Sequence, residues 1–188
     1  MSASSLQALG NIHHAAYRCR DAEQTRWFYE DVMGLRLAAA FEDEIDVGEG
    51  GRGNRHFLHI FFEMADGNYL AFFDEPNFAS EEKFLAKDSF DMHIALETEN
   101  LQSLAQWQAR LDELGVPCMG PIDHDFVHSI YMLDPNGIPL EITARVDDSV
   151  RVMQNNADSA RANLAAWSEK TRELKLEKLN KEALDKRF

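Results

Sequence analysis

The chain has 188 residues, 45% of them hydrophobic, enough for one domain or for two small units that share a core. Its 19 basic and 33 acidic residues leave a net charge of −14, which disfavours nucleic acid and anionic membrane as partners because both would repel it. The only cysteines, Cys19 and Cys118, are too few for a disulfide framework or a Cys-x-x-Cys zinc site. MSASSLQALG has neither a basic segment nor an apolar run, and no stretch is long enough to span a bilayer, so the expectation is a cytoplasmic protein acting on a small molecule.

Taken in chain order, residues 11–19, NIHHAAYRC, read as a short extended segment. Asp21 is placed to cap a helix in which Trp27, Phe28, Val32 and Met33 recur at helical spacing until Gly34 ends it. A strand around residues 36–41 precedes two aromatic strands, HFLHIFF at 56–62 and YLAFF at 69–73, joined through EMADGN, whose Asp66-Gly67 pair suits a hairpin turn. Residues 90–97, FDMHIALE, read as another strand. Asn100 then caps a second helix with a stripe of Leu101, Leu104, Trp107, Leu111 and Leu114, ended by Gly115. A last hairpin, IYMLDPNGIPLEI at 130–142, turns through Asp134, Pro135, Asn136 and Gly137.

The second half repeats the first. His14 and His93 lie 79 residues apart, Gly34 and Gly115 lie 81 apart, and Gly67 and Gly137 lie 70 apart. Both first strands begin His-x-Ala, and both last hairpins run Gly-x-x-Leu. Each half is therefore a strand, a helix and three more strands, neither able to cover its sheet alone, and pairing them encloses a cavity. The boundaries read from the sequence are 1–88 for the first unit, 89–145 for the second and 146–188 for a helical extension.

Glu141 sits between Leu140 and Ile142 on a strand that reads as buried, and its counterpart in the first half is Ala71. A buried carboxylate without compensation costs several kcal/mol, so it needs a cation or strong hydrogen bonds. His14 and His93, at matched places on two other strands, could hold that cation with it. Two imidazoles and one carboxylate form a facial triad with open coordination positions, which favours Fe(II) or Mn(II) over a closed zinc site.

The runs HHAAYRCRDAEQTRWFYEDVMGL, MHIALE and IYMLDPNGIPLEI resemble the vicinal oxygen chelate superfamily over residues 11–145. That superfamily includes glyoxalase I, extradiol dioxygenases, fosfomycin-resistance enzymes and bleomycin-binding proteins. The resemblance implies an α+β fold of two paired βαβββ modules forming a cupped mixed sheet around a metal site. It implies metal ligation by His14, His93 and Glu141, with Ala71 in the fourth place. Glyoxalase-type isomerases typically use four protein ligands, so the alanine counts against that chemistry. Residues 122–141, IDHDFVHSIYMLDPNGIPLE, resemble the extradiol dioxygenase signature at all its fixed positions, which implies that His124 hydrogen-bonds beside the site and Tyr131 is an active-site phenol. The implied activity is Fe(II)-dependent opening of a catechol-like ring. A glyoxalase-like or fosfomycin-resistance-like isomerase or transferase using Mn(II), Zn(II) or Ni(II), and a non-catalytic binding protein of the same fold, are the alternatives.

Several residues have more ordinary readings. His56, His59 and His128 read as ordinary strand histidines, although His56 and His59 are the nearest candidates for the acid/base histidine that ring-cleaving enzymes carry late in the first module. His13 points to the opposite strand face from His14. Arg18 shares His14's face and is a candidate either for an anionic substrate or for pairing with an acid. Phe61, Phe62, Phe72 and Phe73 read as core. The extension's thin stripe, with Leu164, Trp167, Leu174, Leu176 and Leu179, cannot make its own core, so it is expected to pack across the modules or on another subunit of a homodimer.

Overall fold

The computed structural model describes residues 9–51 and 53–186. The first half runs β1 (His14–Cys19), α1 (Ala22–Arg26) with a π-helical continuation (Trp27–Val32), β2 (Arg36–Asp46), β3 (Asn54–Glu63) and β4 (Tyr69–Asp74). The second runs β5 (Ile94–Thr98), α2 (Leu101–Glu113), β6 (Met119–Asp123), β7 (Val127–Leu133) and β8 (Pro139–Arg145). Three helices follow, α3 (Ser149–Ala157), α4 (Ala160–Leu179) and α5 (Lys181–Asp185). Among the described residues, no helix is long and apolar enough to cross a membrane.

Each half forms its own four-stranded mixed sheet, ordered β1-β4-β3-β2 and β5-β8-β7-β6. In each, the first strand runs parallel to the last while the other pairs are antiparallel. The register repeats the sequence duplication: Ala16 lies opposite Ala71 in the first sheet, and Ala95 opposite Glu141 in the second. This is the paired βαβββ architecture.

Local chemistry explains the element ends. The Asp21 carboxylate accepts from the Gln24 N–H at 2.7 Å, and Asn100 caps α2 through the Ser103 N–H at 2.9 Å. Gly34 and Gly115 end their helices at positive φ, where a side chain is strained. β5 starts at Ile94 and not at residue 90, because Asp88 organises a turn: its carboxylate accepts from Phe90 N–H and its carbonyl from Asp91 and Met92. β2 runs to Asp46, well past residue 41, because β3 pairs with it along its whole length.

Alternation divides each sheet into a helix-facing side and an open side. Tyr17, Cys19, Ile60, Phe62, Leu70 and Phe72 face Phe28, Tyr29, Val32 and Met33 of the first helix. Ile94, Leu96, Ile130, Leu140 and Ile142 face Leu104 and Leu111 of α2. These two layers merge into one core. Leu101 and Leu114, read from the sequence as part of the helix stripe, are exposed at its margins.

The modules are joined through the first helix and the β7–β8 turn. The buried Tyr29 hydroxyl donates to Asp134 Oδ2 at 3.0 Å, and the Arg20 N–H donates to Asn136 Oδ1 at 2.8 Å. Arg110 of α2 reciprocates, donating to the carbonyls of Val32 at 2.9 Å and Asp31 at 2.7 Å. Burial pushes the Asp134 carboxyl above its ordinary pKa, opposed by donors from Ile138, Asn136 and Tyr29. Gly137 is required there twice over. Its φ is +75°, and a Cβ would stand 2.5 Å from the Leu85 carbonyl oxygen.

α3 lies beside the open side of the second sheet, where Val150 and Met153 line one cavity with Ala95 and Thr143. α4 has no buried residue, so the extension's long helix does not pack across the modules of its own chain.

Because the Tyr29 hydroxyl is buried against a carboxylate, Tyr29→Phe should lower the unfolding free energy by roughly 2 kcal/mol in urea titrations, with an unchanged denaturant slope.

Candidate metal centre

The open side of the second sheet brings together four of the five residues singled out in the sequence, His93, His124, Tyr131 and Glu141. Tyr131 and Ala95 flank Glu141 as its register partners on β7 and β5, so all three side chains leave the same face. His93 sits one residue before β5. His124 lies in the β6–β7 turn, held by a bond from its N–H to the Val127 carbonyl at 2.9 Å. All four polar side chains line one cavity of about 640 Å³, whose apolar walls include Phe90, Met119, Ile122 and Phe126.

Glu141 is buried, with 7% of its surface exposed, and its Oε1 accepts from the Ser129 hydroxyl at 2.5 Å. Its Oε2 lies 3.5 Å from His93 Nε2, too long for a good hydrogen bond. His93 Nδ1 is 2.8 Å from the Ser89 carbonyl, which can only accept, so Nδ1 carries the proton. Nε2 is thereby the ring nitrogen left facing the carboxylate oxygen, and when unprotonated the two are lone-pair donors at a separation that one cation bound to both could span. A backbone carbonyl fixing the far ring nitrogen is the usual support of a metal-binding histidine.

His124 Nε2 and the Tyr131 hydroxyl are 2.7 Å apart, a hydrogen bond that either group can donate. Burial raises the Tyr131 phenol above its ordinary pKa, and the Glu141 charge adds to the rise. His124, Tyr131, Glu141 and His93 thus follow one another as a row of polar groups along one wall of an otherwise apolar cavity.

His14 lies elsewhere. It stands on the open side of the first sheet, with Nδ1 2.9 Å from His13 Nδ1 and its ring centroid 5.8 Å from Phe61 and 6.5 Å from His59. Among the described residues, no group of three or more His, Cys, Asp or Glu side chains gathers closely enough to hold a metal ion. Within one chain, then, His93 and Glu141 meet while His14 and Ala71 occupy the matching places on the other sheet. Ala71 is fully buried and supplies no donor.

The remaining histidines divide. His56 pairs with Glu42 at 2.8 Å and His128 with Asp123 at 3.5 Å, both near the surface. His59 stacks on Phe73 at 3.8 Å, and its buried Nε2 has no partner. Burial and the neighbouring His14 hold its pKa below the ordinary histidine value. Arg18 pairs with the buried Glu75 at 2.5 Å, and Phe61 and Phe73 lie on the open side of their sheet and not in the core. Ser129 and Ser89 went unnoticed in the sequence. Ser129 could have been found by alternation, two residues before Tyr131 on the same strand face, but nothing local marks Ser89.

The sequence profile of the Glyoxalase/Bleomycin resistance protein/Dioxygenase superfamily matches residues 11–142. No curated protein matches the chain. Among solved structures, a glyoxylase/bleomycin resistance protein/dioxygenase domain from Frankia sp. EAN1pec superposes with a TM-score of 0.58 at 15% identity, covering 74% of this chain and 95% of that one. A genomically encoded fosfomycin resistance protein, FosX, from Listeria monocytogenes, in a mutant form complexed with Mn(II) and 1S,2S-dihydroxypropylphosphonic acid, gives 0.54 at 17% identity, covering 75% and 97%. A glyoxalase/dioxygenase from Nostoc punctiforme gives 0.53 at 22% identity, covering 78% and 100%. At such identities the likeness concerns the fold.

Tyr131 should stay mostly protonated at the pH where an ordinary tyrosine is half ionised, as read from the ring carbon shifts of labelled protein by NMR. Glu141→Gln should move its midpoint down, since the carboxylate charge opposes the phenolate.

Proposed function

This chain belongs to the Glyoxalase/Bleomycin resistance protein/Dioxygenase superfamily, and from that premise we propose that it is a metal-dependent enzyme that opens a catechol-like ring with O2. The observation that carries this reading is the row of polar groups from His124 through Tyr131 to Glu141 and His93 within one apolar cavity.

His93, Glu141 and His14 are the proposed ligands, and Fe(II) the proposed metal. Bound there, the ion supplies Lewis acidity toward vicinal substrate oxygens and one-electron chemistry toward O2. The protein's own groups do the rest. Ser129 holds Glu141 Oε1 so that Oε2 stays aimed at His93. Tyr131, kept as a phenol by burial, hydrogen-bonds a developing substrate oxyanion, and His124 Nε2 exchanges the proton with the Tyr131 hydroxyl. Phe90, Ile122 and Phe126 exclude water from an aromatic ring lying against them.

The split of the ligands calls for a second copy. His14 and His59 lie on the open side of one sheet, His93 and Glu141 on the open side of the other, and the two sheets are not hydrogen-bonded to one another. A twofold dimer that lays the first sheet of each copy against the second sheet of its mate would complete the triad twice. The exposed apolar residues of α4, among them Leu164 and Trp167, would then gain a neighbouring copy to cover them.

Protein loaded anaerobically with Fe(II) should consume O2 with a panel of catechols and give a yellow ring-opened product. Glu141→Ala should abolish this, and Tyr131→Phe should slow it about a hundredfold. Tight metal binding without O2 uptake would instead favour an isomerase or transferase. Equimolar His14→Ala and Glu141→Ala chains, each inactive alone, should recover about a quarter of wild-type activity after mixing and refolding, because half the dimers then carry one intact site. No recovery, with both variants folded and dimeric, would sink the shared site.

A further inference from the structure

A second polar cluster lies on the open side of the first sheet, beyond His14. Glu75, with 2% of its surface exposed, is gripped by two arginines. Arg18 Nη2 pairs with one carboxylate oxygen at 2.5 Å, and Arg55 donates to both oxygens through Nε and Nη2. The Arg55 guanidinium also lies over the Phe78 ring, 4.5 Å from its centroid.

Two guanidiniums and one carboxylate leave a local charge of +1 in a chain whose net charge is −14. One donor is left over. Arg18 Nη1 is buried and has no hydrogen-bond partner, a cost that a structural ion pair alone does not explain. The cluster lines a recess of about 370 Å³ whose other walls include Ile45, Phe57 and Phe73. An aromatic floor connects it to His14: the His59 ring stacks on Phe73 at 3.8 Å, and its centroid is 6.5 Å from that of His14. Arg18 follows His14 by four residues on the same face of β1, which separates their Cα atoms by about 13 Å.

We propose that this recess is a carboxylate-binding subsite, and that the substrate is an aromatic acid with vicinal oxygens at its ring end and a carboxylate several bonds away. The placement of the ring end rests on the metal centre proposed above; the subsite itself does not. The substrate carboxylate accepts from Arg18 Nη1 and replaces the missing partner. The ring lies over the His59–Phe73 floor, and Glu75 fixes both arginines so that their geometry is ready before binding.

The test uses 3-phenylpropanoate and its neutral amide, neither of which can chelate a metal, titrated calorimetrically into the full chain at low salt. The acid should bind at least about tenfold more tightly than the amide. Arg18→Gln leaves Glu75 paired with Arg55, and its melting curve checks that it folds; it should bring the two affinities together. Arg18→Lys, which keeps the charge without the fork, should recover only part of the preference. Glu141→Ala should keep the full preference, so that failure of the metal centre and failure of this subsite are told apart. Equal binding of acid and amide by the wild type, binding of neither, or a preference untouched in Arg18→Gln would overturn the proposal.

Discussion

One carboxylate, Asp134, stands at the joint of the two modules. Its Oδ1 accepts from the N–H groups of Asn136 and Ile138, shaping the β7–β8 turn, while Oδ2 accepts from Tyr29 of the opposite module. A carboxyl this deeply buried is tolerated because four donors converge on it, so the shape of the turn and the Tyr29 contact depend on the same group. Around it, the helix layers of both modules fuse into one core. The separation of His14 from His93 and Glu141 follows from that choice of joint.

The duplication then works by asymmetry. Two equivalent register positions hold Ala71 and Glu141, and only the second carries a donor. Around Glu141 the chain has assembled a serine to orient it, a histidine whose tautomer is set by a carbonyl, and a tyrosine directly across the strand pair. Around Ala71 it has placed aromatic rings and, further along, a pair of arginines. In the proposed reading the second sheet takes the cation and the first the aromatic body and the negative group, so that the two faces serve one ligand.

Much of this was legible in the sequence, for identifiable reasons. Asp21 and Asn100 announce helix starts because their short side chains satisfy free N–H groups, and Gly34 and Gly115 announce helix ends because they adopt positive φ at no cost. The grouping of His93 with Glu141 was legible from a buried carboxylate that needs a partner and from the family resemblance, while the offset that matches His14 to His93 says only that they hold equivalent places in two modules. The start of β5 was missed because the Asp88 turn is carried by backbone carbonyls, which leave no trace in residue identity. The outer half of β2 is exposed and polar, so alternation could not mark it. How the two modules sit against one another depends on the contacts of Tyr29 and Asn136, which strand periodicity does not encode. Phe61 and Phe73 were assigned to the core because an aromatic residue on an open face carries the same pattern as one beneath a helix.

Gly137 also touches the segment that connects the modules. The Lys87 N–H donates to the Gly137 carbonyl at 2.8 Å, and the approach of Leu85 leaves no room there for even a methyl group. The connecting segment is therefore anchored midway on the β7–β8 turn. If the site is shared between copies as proposed, a self-contained version of it would first require this segment to let go of the turn.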